Sequence, residues 1–554
     1  MPDENEVSQG CTTTSDSVRQ SLTYELDPRS LSVFDLIIRG GTVIDGTGSP
    51  RTKADVGITG DRITAVGTLP PDASAAETVD ATGLIVAPGF IDVHNHSDGW
   101  LIRERNFAPK TMQGFTTEIL QLDGIGYAPV NQETAREWLF YLRSLDGLRL
   151  QDWTGWETFE EFMEAIDGSS AQNAASHLPY ANIRSIACGF GRAPVDDFQM
   201  REIQRQIRIG MEAGAVGVST GLDYIVQCFS PTDELVEAFT AMAPYDGLYV
   251  THVRYKKGLI PALEEAADIC RRAGVRLHIS HLKAQNPHET DQVMQFLETA
   301  RRDVDISFDV YPYQPGSTML NYLLPYEAWE DGPLAALGKL TDAGFRQRVA
   351  AGIDSMRVPL DRLQIAWLPS KENSHWQGKT LQDFVEASSL SPADALLDLL
   401  IEEQLAGLLV FHEGDARLIY PFLQHELFMM GSDGIFCSDG PMHPRVYGSA
   451  GRLIGPLVRD QKLMTLENAV HKMTGYSAER FRLADRGTIT EGAFADITIF
   501  NAETVTDQAT MSDPRKLTTG IETVLVNGEV IVDSNGPIES TTPPGRSLKA
   551  GQSN

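Results

Sequence analysis

His94-Asn95-His96 places two imidazoles two residues apart at the end of an apolar run, GFIDVHNH (89–96). On an extended chain residues i and i+2 point the same way, so both rings can reach one divalent ion. Alone, HxH is a weak signal, because either ring also suits a satisfied polar position in a core. Three further residues occupy the same kind of place. His252 ends GLYVTH (247–252), His281 ends VRLHISH (275–281) and Asp433 ends LFMMGSD (427–433). Four histidines and one aspartate at the ends of strand-like runs make the donor set of a catalytic metal site. Such a site acidifies a bound water and polarises a carbonyl, which is hydrolytic chemistry. His443 reads as a hydrogen-bonding loop residue. His177, His278, His288, His375, His412, His425 and His471 fit no strand-end pattern and are expected to be structural or exposed.

The elements that must position these residues alternate in type. Four more strand-like runs, TTEILQL (116–122), IRSIACG (183–189), AVGVST (215–220) and ISFDVY (306–311), bring the set to eight. Amphipathic stretches such as LIPALEEAADICRRAG (259–274) lie between most of them. Eight βα units predict an α/β fold, a (β/α)8 TIM barrel over 89–484, with active-site residues at the C-terminal strand ends. The stretch from about 315 to 400 is too long for a plain connection and is expected to be an insertion over the mouth. Short Gly- and Asp-punctuated strands fill 34–88 (FDLIIRGGTVIDG, ADVGITGDRITAVG) and return in 485–540 (GTITEGAFADITIFN, ETVLVNGEVIVDS). These two pieces suit one small sheet domain into which the middle is inserted. A polar extension (1–33) and a polar tail (541–554) are expected to be loosely ordered.

Charge removes whole function classes. The 554 residues carry 46 Lys+Arg against 76 Asp+Glu, a formal net charge of −30. A body this acidic is no general nucleic-acid binder and no partner for anionic lipid. A small anionic substrate stays open, because a few local cations outweigh a distant background. No apolar run approaches the roughly 18 residues of a membrane span. The first residues lack the basic and apolar regions of a secretory signal. Five scattered cysteines without CxxC spacing suit a reducing cytoplasm.

In order along the chain stand DLIIRGGTVIDGTG, APGFIDVHNHSD, GFTTEI, GVSTGLDY, THVR, ISHLK, DVYPYQPGST, GSDG, HPRVYG and GTITEGAFADITIF. This series resembles the amidohydrolase superfamily and, within it, the N-acyl-D-amino-acid deacylase (D-aminoacylase) family. It spans roughly residues 34 to 535. The resemblance implies a metal-bearing barrel with a small composite β-sandwich built from both chain ends. It implies zinc, one or two ions, with His252 and His281 on the principal ion and His94 and His96 on the second. Asp433 matches the catalytic aspartate, and Tyr224 a tyrosine that polarises the substrate carbonyl. Lys283, Tyr311, Ser317 and Arg445 match positions that grip the substrate's α-carboxylate.

Departures from the family pattern lie near the pocket. The family's cysteine ligand after the second strand is replaced by Asp123, in TTEILQLDG. A carboxylate is a competent zinc ligand and, being harder than thiolate, also suits manganese or another divalent metal. The plain alternative is a turn-capping Asp before Gly124. The usual Pro-Gly after the tyrosine is Ile225-Val226, and Tyr255-Lys256-Lys257 replaces the usual acidic residue beyond THVR. The leading reading is metal-dependent hydrolysis of a C–N amide bond, the deacylation of an N-acyl-D-amino acid, with a carboxylate-bearing small molecule as partner. Another amide, a carbamate, a dipeptide or a cyclic amide of the hydantoinase or dihydroorotase type is the alternative. Those cyclic-amide enzymes usually carry a carboxylated barrel lysine, and IRSIACG and AVGVST contain none. A non-catalytic scaffold is the remote alternative.

Overall fold

The computed structural model describes residues 34–354, 359–412 and 414–553; the expected N-terminal extension, 1–33, lies outside them. The two ends of the chain share one sheet. Phe34–Val43 pairs antiparallel with Thr52–Thr59, which pairs with Arg62–Gly67. Ile85–Pro88 pairs antiparallel with Ile497–Phe500, joining strands from opposite ends of the sequence within a nine-stranded sheet. Strand alternation gives this sheet its own apolar cluster, including Leu36, Ile38, Val56, Ile58, Val86, Ile497, Ile499 and Leu525. Fully burying each such side chain contributes roughly 1.5–3 kcal/mol.

Eight parallel strands lie between. They are β1 (Phe90–Asp92), β2 (Phe115–Leu120), β3 (Asn173–Ser176), β4 (Gly217–Gly221), β5 (Leu248–His252), β6 (Arg276–Ile279), β7 (Ile306–Asp309) and β8 (Phe428–Met429). β1 pairs β2 and β2 pairs β3. β4 to β8 pair in sequence order. Leu178–Pro179, just past β3, pairs with β4, and a parallel bridge Asn95↔Gly434 joins the chain beyond β1 to the chain beyond β8. Since all run the same way, all eight C-terminal ends lie on one side. Gly217 is required for close approach: a Cβ there would sit 1.9 Å from the Leu248 carbonyl oxygen.

The helices between strands follow their sequence signals. Asp196 and Gln199 form a capping box at the start of Asp197–Ala213, and Gly214 ends it at φ 108°. Leu259–Ala273 buries Leu259, Ala262, Leu263, Ala266, Ile269 and Cys270 on one stripe.

Seven of the eight expected strand runs contain a strand. The third does not: IRSIACG lies in the helix Tyr180–Cys188, and the strand is instead the Asn-Ala-Ala-Ser run of β3. Tertiary partners decide this. Tyr180 and Arg184, one helical turn apart, both donate to Glu234 Oε1, at 2.8 and 2.9 Å. Small residues with weak strand propensity form the buried strand because pairing with β2 and packing override propensity.

The long connection forms a three-stranded antiparallel sheet, with Leu408–Phe411 between Gly316–Met319 and Leu363–Trp367. It therefore extends past the expected end near 400. The tail beyond 541 is packed rather than loose. Leu548 N–H donates to Ala174 O at 2.7 Å, and Leu548 and Ala550 join the apolar cluster that holds Val216 and Val250. Two apolar residues and a few backbone bonds anchor a segment whose overall composition is polar. Among the described residues, no helix is long and apolar enough to cross a membrane.

Candidate active site

The C-terminal strand ends bring together His94, His96, Asp123, His252, His281 and Asp433. Asp433 N–H donates to His94 O at 2.7 Å and His96 N–H to Gly434 O at 3.2 Å, which locks the chain after β1 to the chain after β8. His252 is the last residue of β5. Asp123, His281 and Asp433 all have left-handed backbone, with φ of 55°, 36° and 49°. Such conformations cost of order 1–3 kcal/mol and persist where surroundings over-determine them. At His281 the backbone N–H is fixed by Asp309 Oδ1 at 2.9 Å.

Asp123 stands between two groups of donors. Its Oδ1 is 3.8 Å from both His94 Nε2 and His281 Nε2, and its Oδ2 is 3.9 Å from His96 Nε2. Asp433 Oδ1 is 3.4 Å from His96 Nε2 and 3.8 Å from His94 Nε2. His252 Nδ1 lies 3.0 Å from His281 Nε2. Two triads, His94–Asp123–His281 and His94–His96–Asp433, each have ligand atoms within 4.8 Å of one another.

Each imidazole is also held from behind, by residues the sequence reading passed over. His94 Nδ1 meets Asp309 Oδ2 at 3.2 Å, and His96 Nδ1 meets Asp146 Oδ1 at 2.9 Å. His252 Nε2 lies 3.4 Å from Asp223 Oδ2, and His281 Nδ1 lies 3.3 Å from the Tyr255 hydroxyl. His278, set aside in the sequence, is buried and holds Asp309 Oδ2 at 2.9 Å. Asp309 and Asp223 did carry a signal, since one ends β7 and the other directly precedes Tyr224. Asp146 carried none. His443 is the loop hydrogen-bonder expected, between Pro315 O and the Arg445 N–H.

The remaining expected residues divide into two places. The Tyr224 hydroxyl faces Thr318 Oγ1 at 3.4 Å, and its ring centroid is 4.8 Å from that of His252. Lys283 Nζ donates to the Tyr311 hydroxyl at 2.6 Å and to Gln314 O at 3.1 Å. Arg445 is wholly buried behind this layer. Its guanidinium donates to Asp433 Oδ2 at 2.8 Å and to Ser317 O at 3.0 Å, and stacks on the Tyr311 ring. Lys283 thus lines the open space, while Arg445 acts on it through Asp433 and Ser317.

Charge in the cluster is strongly organised. Burial disfavours a charged imidazole, yet Asp309, with Asp433 and Asp123, outweighs it and holds His94 up at about 9. Asp146 and Asp433 likewise hold His96 up at about 10 against burial. Burial and the neighbouring His252 push His281 down to about 3. Burial opposes ionisation of Asp433, but Arg445 and then His96 keep its carboxyl well below the usual carboxylate range. The potential that draws protons onto His94 and His96 would equally draw a divalent cation.

The donor atoms fit a metal. His94 Nε2 and Asp123 Oδ1 are buried and without a hydrogen-bond partner, whereas buried polar groups in folded proteins are mostly satisfied. Both belong to the same triad. Imidazole nitrogen and carboxylate oxygen together suit zinc and, with more carboxylate, manganese.

His96, Asp123, His252, His281 and Asp433 line a cavity of about 510 Å³, and His94 is buried beside Asp123 and Asp433. Lys283, Tyr311, Ser317 and Thr318 line one part of its wall, and Leu145, Leu259, Leu323, Leu324 and Pro325 another. That volume suits a small molecule with polar and apolar ends.

The chain matches the model of the amidohydrolase family over residues 77–351 and 424–532. It is 35% identical over 506 residues to the D-aminoacylase of Alcaligenes xylosoxydans xylosoxydans, covering 89% of this chain and 94% of that one. Its structure resembles that of N-acyl-D-glutamate deacylase from Bordetella bronchiseptica complexed with zinc and a phosphonate inhibitor. There the TM-score is 0.79 and the identity 31%, over 93% of this chain and 100% of that one. A D-hydantoinase shares the fold, with TM-score 0.54 and 14% identity over 94% of this chain and 100% of that chain. The unmatched stretch 352–423 holds two of the three strands of the inserted sheet, and the chain belongs to the amidohydrolase family, on its D-aminoacylase branch.

Proposed function

We propose that this protein is a metal-dependent amidohydrolase that cleaves an N-acyl-D-amino acid into a carboxylate and a D-amino acid. The observation that carries the reading is the convergence of His94, His96, His252, His281, Asp123 and Asp433, all but His94 lining one cavity together with Lys283. D-chirality rests on the relatives' names, since D-aminoacylase and N-acyl-D-glutamate deacylase both act on D-configured substrates.

His252 and His281 would hold the principal ion, His94 and His96 a second, and Asp123 reaches toward both groups. When bound, a divalent metal supplies an acidified water and a polarised carbonyl. The residues of the chain do the rest. Arg445 occupies Asp433 Oδ2, so Oδ1, turned toward His94 and His96, takes a proton from water and hands it to the departing amine. The Tyr224 hydroxyl donates to the oxygen on which charge develops. Lys283 and Ser317, with Tyr311 and the buried Arg445 behind them, orient the substrate carboxylate.

The eight parallel strands, with the bridge between the segments after β1 and β8, support a (β/α)8 barrel over 89–484. The sheet shared by 34–88 and 485–540 supports the composite β-sandwich. Cys188, Cys228, Cys270 and Cys437, free among the described residues, support a reducing cytoplasm as its location. A cyclic-amide reading stays weaker, because neither β3 nor β4 carries a lysine.

The test is metal content per chain, followed by hydrolysis of matched N-acetyl-D- and N-acetyl-L-amino acids before and after chelation. Metal-dependent cleavage of the D series is expected. Equal or greater cleavage of the L series would overturn the substrate reading. Absence of bound zinc or manganese together with no hydrolysis would support the scaffold.

A further inference from the structure

Asp223 is a buried carboxylate with partners on three separate elements. Its Oδ2 lies 3.4 Å from His252 Nε2. The same oxygen accepts from the Tyr322 hydroxyl at 3.1 Å and from Lys256 N–H at 3.2 Å. Its Oδ1 accepts from the Tyr326 hydroxyl. Asp223 follows β4, and His252 ends β5. Tyr322 and Tyr326 lie in the segment directly after Gly316–Met319, the first strand of the inserted sheet.

The lysine beside it completes the join. Lys256 Nζ donates to Tyr322 O at 2.8 Å and to Leu324 O at 3.1 Å, and its ammonium sits over the Tyr322 ring. Lys256, one of the residues that depart from the family pattern after THVR, thus holds the inserted segment. A carboxylate from the neighbouring strand end meets the outer nitrogen of His252.

We infer that Asp223 is a positioning residue for the metal ligand His252, and that Tyr322 and Tyr326 hold it there, so that metal retention depends on the seating of the inserted segment. This rests on the metal-site reading above. A carboxylate that accepts the outer N–H of a ligating imidazole fixes its tautomer and ring direction. Loss of such a partner typically lowers metal affinity 10–100-fold. Phenol donors that fix the carboxylate extend that constraint one step outward. The inserted segment also supplies Leu323, Leu324 and Pro325 to the cavity wall, so the element that shapes the substrate space is the one tied to the ion.

The experiment uses the full chain loaded with Zn²⁺ or, for spectra, Co²⁺. Metal affinity is read by chelator competition for wild type, Asp223→Ala, the double variant Tyr322→Phe/Tyr326→Phe, and the triple combination. Far-UV circular dichroism and thermal midpoint are measured on each metal-free form. Asp223→Ala is expected to bind metal about 10–100-fold more weakly and to shift the Co²⁺ visible spectrum. The tyrosine pair, which keeps its rings, is expected to weaken binding in the same direction. In the Asp223→Ala background it should add little, since its effect runs through that carboxylate. Unchanged affinity and spectrum in folded Asp223→Ala would overturn the inference while leaving the metal reading intact. So would full additivity of the tyrosine pair with Asp223→Ala. A wild-type chain that takes up neither ion would sink both.

Discussion

Replacing Arg445 by Met isolates the ion pair that sets the working state of Asp433. The guanidinium is wholly buried and lies 2.8 Å from Asp433 Oδ2, and Asp433 itself is only 6% exposed. Methionine keeps the stem and much of the volume but leaves the carboxylate without its closest cation. A hydrogen bond to a charged group is worth about 1.5–3 kcal/mol. Its loss raises the pH at which Asp433 takes a proton. The group's folded value is depressed, so its contribution to stability is present above its unfolded value and lost as pH falls through the folded one. In the variant the depression shrinks, so less of that stability remains at neutral pH. Breaking a buried pair from one side costs about 3–5 kcal/mol. Two assays follow on metal-loaded protein: the acid limb of kcat against pH, and the thermal midpoint at pH 7 and pH 5. The limb should move to higher pH and the midpoint should fall. If neither the limb nor the midpoint moves, Arg445 does not control Asp433 and the assignment of Oδ1 as the proton carrier loses its support. If only KM rises, Arg445 serves the substrate carboxylate alone.

Three other outcomes are expected. Asp433→Asn should retain bound metal yet lose at least about 10²–10⁴-fold in turnover, the usual worth of a positioned acid–base group; near-normal turnover in folded, metal-loaded protein refutes its role. Asp123→Cys should move the ratio of zinc to manganese affinity toward zinc by about tenfold or more, because thiolate is the softer donor. Competition titrations of both ions check this, and an unchanged ratio would show that Asp123 is only the cap of its turn. Leu263→Ala, at a fully buried position on the Leu259–Ala273 helix, should cost about 2–5 kcal/mol of stability without changing metal content, as denaturant unfolding and metal analysis can verify.

The candidate ligands, and the strand ends that carry them, were legible in the chain alone. His94, His96, His252, His281 and Asp433 each close a strand-like run, and that regularity depends only on local periodicity and residue chemistry. The shared terminal sheet was legible for the same reason, as repeated short strands with Gly and Asp turns. Helix Tyr180–Cys188 was not, because an Ile-Arg-Ser-Ile run suits strand or helix until Glu234, fifty residues on, binds Tyr180 and Arg184 together. The packed tail was missed because a polar composition hides two anchoring side chains.

Tertiary structure alone decided what stands behind the candidate ligands. Asp309, Asp146 and Asp223 lie 215, 50 and 29 residues from the histidines they hold, and no local pattern joins partners so far apart. It also separated Lys283, on the cavity wall, from Arg445, buried behind Asp433, though both had matched one substrate-gripping set. The −30 charge limited the partners but located nothing. Residue type and strand ends are local properties, whereas the direction of a hydrogen bond and the depth of a charge exist only once distant elements have packed.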